Sequence, residues 1–100
     1  MFIINEALKK DKIPADKMDE LFKQHVEWFT HHFEEGNFVL VGPYTDQEMV
    51  GIMLSPAKTR EEVENILKSD VYYAGGMADY EVHSFIAAKI SPKIMEFVGK

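Results

Sequence analysis

The feature that most restricts this chain is one long stretch of helical periodicity set among short apolar runs. From Ala15 to Glu35 the residues Met18, Leu21, Phe22, Trp28, Phe29 and Phe33 recur at spacings of three, four and seven, and Gly36 follows as a stop signal. An apolar stripe about six turns long needs a surface to lie on. The rest of the chain supplies strands for it. "FIINEAL", residues 2–8, is short and apolar, and "DKIP" follows as a turn whose proline suits an early helix position. "NFVLVGPY", residues 37–44, is β-branched and breaks at Gly42-Pro43, so it predicts a buried strand. "MVGIMLS", residues 49–55, is a second run of this kind after the polar link "TDQE", and the two predict neighbouring strands.

Thr59 and Glu62 form a capping box, which starts a short helix near Arg60 with Val63, Ile66 and Leu67 on its apolar face. "DVYYAGGMADY", residues 70–80, predicts an aromatic, glycine-bearing loop. "EVHSFIAAKI", residues 81–90, predicts a last long strand, and Ser91-Pro92 starts a short terminal helix. The order is β-α-β-β-α-β with a tail, the split βαβ pattern of ferredoxin-like α+β folds, in which two helices cover one face of a four-stranded antiparallel sheet. No repeat, low-complexity tract or linker interrupts the 100 residues, and 46% hydrophobic content is ample for one core, so a single domain over residues 1–100 is expected.

The uncovered sheet face then needs an explanation. In the last run Tyr80, Val82, Ser84, Ile86 and Ala88 alternate with Glu81, His83, Phe85, Ala87 and Lys89, and "FVLV" is apolar on both sides. Soluble monomers rarely show large apolar patches. Sheet-to-sheet pairing in a homodimer would cover this one. The alternative is that the carboxy-terminal "IMEFV" folds back over the sheet within one chain.

Charge narrows the partners. With 11 basic and 17 acidic residues the net charge is −6, and no Lys/Arg stripe with interleaved aromatics is present, which disfavours nucleic acid. No apolar run nears the roughly 20 residues of a membrane span, and the amino terminus lacks the basic-then-apolar order of a signal peptide. A soluble, cytoplasmic protein with no membrane partner is expected. The absence of cysteine excludes disulfides, thiolate metal sites and cysteine nucleophiles. Chemistry falls to His, Asp, Glu, Ser or Tyr.

Three histidines lie in the long helix. On a helical wheel His25 and His32 share the stripe with Met18, Leu21, Phe22 and Phe29, whereas His31 points to solvent. His25 and His32 are seven residues apart, roughly 10 Å along the axis, too far to ligate one metal directly. His32 reads as a rim residue near the helix end. His25 is mid-helix among Leu21, Phe22 and Phe29, where an imidazole costs free energy unless its nitrogens find partners. It is either a core histidine bonded to a backbone carbonyl or a functional base.

The other candidates carry paired readings too. Asp70, after Ser69 at a helix-loop junction, could cap the following turn. Tyr72 and Tyr73 alternate in direction, so one can pack inward while the other lines a cleft, or either can be a core residue. Gly42-Pro43 ends a strand, and a glycine there lets a ligand approach the backbone, with Tyr44 beside it as a pocket-lining candidate. Met18, Met49, Met53, Met77 and Met95 read as gap-filling core residues rather than a copper site. Ser55, Ser69 and Ser84 lack the glycine-flanked elbow of a hydrolase serine, so acyl-enzyme chemistry is disfavoured. Glu34 and Glu35 read as a solvated helix end.

His25, Gly36, Gly42-Pro43, the capping-box helix and "SDVYYAGG" together resemble the YciI-like (YCII-related) domain family, over nearly the whole chain. That family's pattern is a first-helix histidine before "G-x-L-x-x-x-G-P" and a later "D-P-[YF]-x-x-x-G" loop. The spacings are kept here, while Phe38 stands at the leucine-like position and Val71 replaces the common proline after the aspartate. The resemblance implies a dimeric α/β barrel and a His-Asp active site, which on this chain is His25 with Asp70. A carboxylate on one imidazole nitrogen fixes the tautomer and leaves the other nitrogen to move a substrate proton.

Two functions follow from the resemblance. The first is a small-molecule enzyme needing no cofactor or metal, of lyase or isomerase type, with His25 and Asp70 catalytic and Gly42, Pro43, Tyr44 and Tyr72 binding a polar cyclic or aromatic substrate. Elimination such as dehydrochlorination is linked to some related members. The second is a non-catalytic ligand-binding or regulatory module with the His-Asp pair as a structural bond. An oxygenase of the related antibiotic-biosynthesis-monooxygenase type ranks third, since fold alone does not decide function.

Overall fold

The computed structural model describes residues 1–100. Its elements are β1 (Phe2–Leu8), α1 (Met18–Glu34), β2 (Leu40–Pro43), β3 (Val50–Ser55), α2 (Arg60–Leu67) and β4 (Ala78–Ser84), with short 3₁₀ turns at Lys10–Lys12, Ala15–Lys17 and Pro92–Phe97. The strands form one antiparallel sheet in the order β2-β3-β1-β4, the ferredoxin-like arrangement. No helix is long and apolar enough to cross a membrane.

Period-two alternation decides which side chains face the helices. Phe2, Ile4 and Glu6 of β1 are buried on that face, with Met53 and Ser55 of β3 and Ala78 of β4. Phe2, Ile4, Phe38, Met53, Val63 and Leu67 make the main core cluster, and Ile13, Tyr72 and Ala78 make a second one. α2 docks through Val63 and Leu67, which leave 0% and 2% of their surface exposed, each stabilising by about 1.5–3 kcal/mol. Thr59 caps it, accepting from the Glu62 backbone N–H at 3.2 Å. The reciprocal bond goes to the N–H of Lys58 rather than Thr59, at 3.1 Å.

α1 behaves differently, for none of its residues is fully buried. Trp28 and Phe29 pack on the main cluster and Met18 and Leu21 on the second, and the helix stands off the β2–β3 side of the sheet, where Phe22 and Phe33 stay about half exposed. A Schellman motif ends α1: Asn37 N–H reaches His32 O at 2.8 Å and Gly36 N–H reaches Phe33 O at 3.1 Å. Gly36 has φ +83°, a left-handed conformation that glycine adopts freely.

Several elements depart from the sequence pattern. The long helix begins at Met18, after a tighter turn at Ala15–Lys17, and the second strand is only Leu40–Pro43, because Asn37 and Phe38 bond back to His32 O and complete the helix cap. The last strand runs Ala78–Ser84 rather than 81–90; its register pairs Leu8 with Ala78 and Phe2 with Ser84, and Phe85 N–H bonds Met1 O at 2.9 Å. Ala87 lies beyond the strand and does not extend the uncovered sheet face. "IMEFV" does not fold back over the sheet either, and Met95 is exposed rather than core.

Candidate functional site

Four elements converge where α1 stands off the sheet. His25 comes from the middle of α1, Glu6 from β1, Tyr80 from β4, and Asp70 from the turn after α2. That turn is held rigidly: Asp70 N–H bonds Leu67 O at 3.0 Å, Tyr73 N–H bonds Asp70 O at 3.0 Å, and Met77 N–H bonds Tyr72 O at 2.9 Å. Trp28 clamps it to α1 by donating its indole N–H to Ser69 Oγ at 2.8 Å, and Ser69 in turn donates to Ile66 O at 2.6 Å.

This clamp sets Asp70 opposite His25, whose Nδ1 lies 2.9 Å from Asp70 Oδ1. The other Asp70 oxygen accepts the Tyr80 hydroxyl at 2.7 Å. The capping alternative for Asp70 amounts to one long contact, Tyr72 N–H to Oδ1 at 3.5 Å. Around the imidazole stand Trp28, Phe29 and Tyr72, with ring centroids 5.5, 5.3 and 5.1 Å away. These walls fix the ring's orientation, and because Nδ1 meets Asp70, Nε2 is the nitrogen left for a ligand.

The stand-off of α1 leaves an open cavity of about 870 Å³, within the range of small-molecule sites. His25, Phe22, Phe29 and Phe33 line it from α1, and Gly51 and Met53 from β3. Gly51 pairs with Glu6 across the sheet and presents no side chain, so the floor there is bare. Of the residues expected to bind ligand, Gly42, Pro43, Tyr44 and Tyr72 all border this cavity. Tyr44 sits at its rim, with its hydroxyl donated to Asn5 on the opposite sheet face. Tyr72 is nearly fully buried, while Tyr73 is half-exposed against Tyr80.

The remaining histidines lie elsewhere. His31 is exposed; His32 packs between Trp28 and Phe38 and takes Asn37 Nδ2 on its Nδ1 at 3.0 Å. Burial, with the charge of His31 next, lowers the His32 pKa. His83 pairs with Glu81 at 2.7 Å on the uncovered face.

Glu6 and Tyr80 are the site residues that the sequence reading missed. Glu6 occupies a core position in the alternation Phe2, Ile4, Glu6 and is 4% exposed, the same anomaly that singled out His25. Its Oε2 is 3.8 Å from His25 Nδ1, and neither oxygen has a hydrogen-bond donor. Burial, and then the Asp70 carboxylate beside it, push Glu6 from 4.5 to about 10. Burial alone would raise Asp70 too, but bonds from His25, Glu6 and Tyr80 outweigh it and hold that carboxyl below its ordinary value. Tyr72 and Tyr80 are both raised, first by burial and then by the two acids. Glu6, His25 and Asp70 bring one ligand atom each within 4.8 Å of one another, so they are the residues that could hold a metal ion.

Residues 1–86 match the family described as the YCII-related domain. The chain belongs to that family. Among solved structures, this YCII-related chain is similar to the 5-chloro-2-hydroxyhydroquinone dehydrochlorinase TftG from Burkholderia phenoliruptrix AC1100 in complex with 2,5-dihydroxybenzoquinone. The TM-score is 0.60 at 13% identity, covering 86% of this chain and 94% of that one. At that identity the likeness concerns the fold. No curated protein matches the sequence.

Proposed function

We propose that this YCII-related protein is a small-molecule enzyme of lyase or isomerase type, in which His25, oriented by Asp70, moves a proton on a hydroxylated or keto ring compound. The observation that carries the reading is the 2.9 Å bond from His25 Nδ1 to a buried Asp70, with the same imidazole lining the cavity. Nε2 takes a proton from a hydroxyl or carbon adjacent to a carbonyl. The freed electron pair moves into the ring, and is relieved either by protonation at a second position or by departure of a leaving group as an anion. Asp70 stabilises the imidazolium that forms. The aromatic walls favour a flat ligand, and a dihydroxybenzoquinone is the molecule bound by the dehydrochlorinase of similar fold.

The test is a screen of hydroxylated and chlorinated aromatics and small cyclic acids, followed by variants. With a substrate in hand, His25→Ala should lower kcat/KM about 10²–10⁴-fold, the usual contribution of a positioned acid/base. Tight binding of ring compounds with no turnover of any would favour the non-catalytic module instead.

The same proposal includes a homodimer. The uncovered sheet face carries Ile3, Leu40, Ile52 and Leu54, and past β4 the chain exposes Ile86, Ile90, Met95 and Val98 at 89%, 67%, 72% and 73%. A second copy against that face would remove Ile3, Leu40, Ile52 and Leu54 from water. Sedimentation showing a monomer at micromolar concentration would overturn the dimer.

A further inference from the structure

We propose that Glu6 is a positioning residue of this site: a neutral carboxylic acid that shares its proton with Asp70 and keeps the pair at a single negative charge. The inference rests partly on the acid/base reading above, but its geometry stands alone. Four titratable groups face Glu6: Asp70 from the turn after α2, His25 from α1, Tyr80 from the neighbouring strand β4, and Tyr72. Each available donor is committed elsewhere. His25 Nδ1 is 2.9 Å from Asp70 but 3.8 Å from Glu6, and the Tyr80 hydroxyl goes to Asp70 at 2.7 Å.

An ionised Glu6 would thus be a buried carboxylate with no donor to either oxygen, beside a second carboxylate. Two adjacent carboxyl groups of this kind cannot both be charged, and the proton goes to the one with fewer partners. Asp70 accepts from His25 and Tyr80, whereas Glu6 accepts from nothing. As an acid, Glu6 supplies its own donor and has Asp70 as acceptor. A divalent cation could bridge the same three residues. To sit about 2.1 Å from both His25 and Asp70, however, it would have to replace their 2.9 Å hydrogen bond. The proton removes the charge that Glu6 has no donor to balance, within 4.8 Å of Asp70, and leaves the His25–Asp70 bond in place.

The consequence concerns His25. With Glu6 neutral, the ring faces one carboxylate, at 2.9 Å; with Glu6 ionised it would face two, at 2.9 and 3.8 Å. Glu6 therefore sets the charge that the acid pair presents to His25.

The experiment is infrared spectroscopy of the protein at neutral pH, with Glu6→Gln as the difference partner. The expected result is a protonated carboxylic-acid C=O band present in the natural chain and lost in the variant. The NMR shifts of the His25 ring in the natural chain should report the loss of the Glu6 proton at alkaline pH, and this needs no folded variant. Absence of the acid band, or a carbon-13 shift of the Glu6 carboxyl in the ionised range at neutral pH, would overturn the proposal. So would stoichiometric Zn²⁺ or Mn²⁺ binding by the natural chain that Glu6→Gln abolishes. None of these readouts needs a substrate, so failure of the ring-compound screen leaves them intact.

Discussion

The Glu6→Gln substitution makes a quantitative prediction about stability against pH. Glu6 has a folded pKa raised from 4.5 to about 10, so its contribution is fully present below 4.5 and is lost as pH rises toward the folded value. Within that window the native chain keeps one proton that the unfolded chain releases. Stability then falls by about 1.4 kcal/mol per pH unit from this group alone. Between about pH 5.5 and about pH 7.5 the loss is about 2.7 kcal/mol, a large part of the 5–15 kcal/mol typical of a domain.

Glutamine keeps the shape and an N–H donor for Asp70 but cannot ionise, so the variant should lose this slope. His32 works in the opposite direction across the same window, because its lowered pKa makes the folded chain bind fewer protons. It does so in both proteins and cancels in the difference. The assay is urea unfolding followed by the fluorescence of Trp28, the only tryptophan, which packs against His25. The stability of Glu6→Gln relative to the natural chain should rise by about 2.7 kcal/mol across the window. Parallel curves would mean that Glu6 is ionised in both states, and would refute the reasoning.

Four other substitutions have expected outcomes. Asp70→Asn should cost about 1–3 kcal/mol at neutral pH, because the bonds from His25 and Tyr80 lose a charged acceptor. Asp70's lowered pKa contributes stability that is present above 3.8 and lost below it, so acid titration of the variant should lack that loss. Tyr72→Phe, whose hydroxyl has no partner within the chain, should change the urea midpoint little and weaken ring-ligand binding by about 0.5–1.5 kcal/mol, read by calorimetry. Thr59→Ala removes the α2 cap and should cost about 1 kcal/mol in urea unfolding. Ile4→Ala empties a fully buried site beside Met53 and Val82 and should cost about 2–5 kcal/mol, seen as a lower Tm.

Much of this fold can be read from local signals. The seven-residue strand Phe2–Leu8, the α2 cap at Thr59, the helix stop at Gly36 and the order of elements all follow from periodicity and turn chemistry, which act over a few neighbouring residues. Ends that depend on a distant partner were not legible. β4 ends at Ser84, opposite Phe2 of β1, although "SFIAAKI" continues the apolar pattern of a strand, because a strand's extent is set by the partner it pairs with rather than by its own alternation.

The candidate site divides in the same way. Sequence alone marked His25 as an ionisable ring on an apolar stripe, since helical spacing is a local property. Alternation in β1 carried an equal signal for Glu6, whose place after Phe2 and Ile4 puts a carboxyl on the buried face. Only the tertiary structure decided that these two residues and Asp70, separated by 45 positions from His25, meet within 4.8 Å. It also decided that α1 stands off the sheet and leaves a cavity beside them. The physical reason is that a hydrogen bond between distant residues depends on how whole elements dock, and docking here is set by Trp28 and Ser69 and by packing on two separate core clusters, none of which is encoded in the spacing along any one segment.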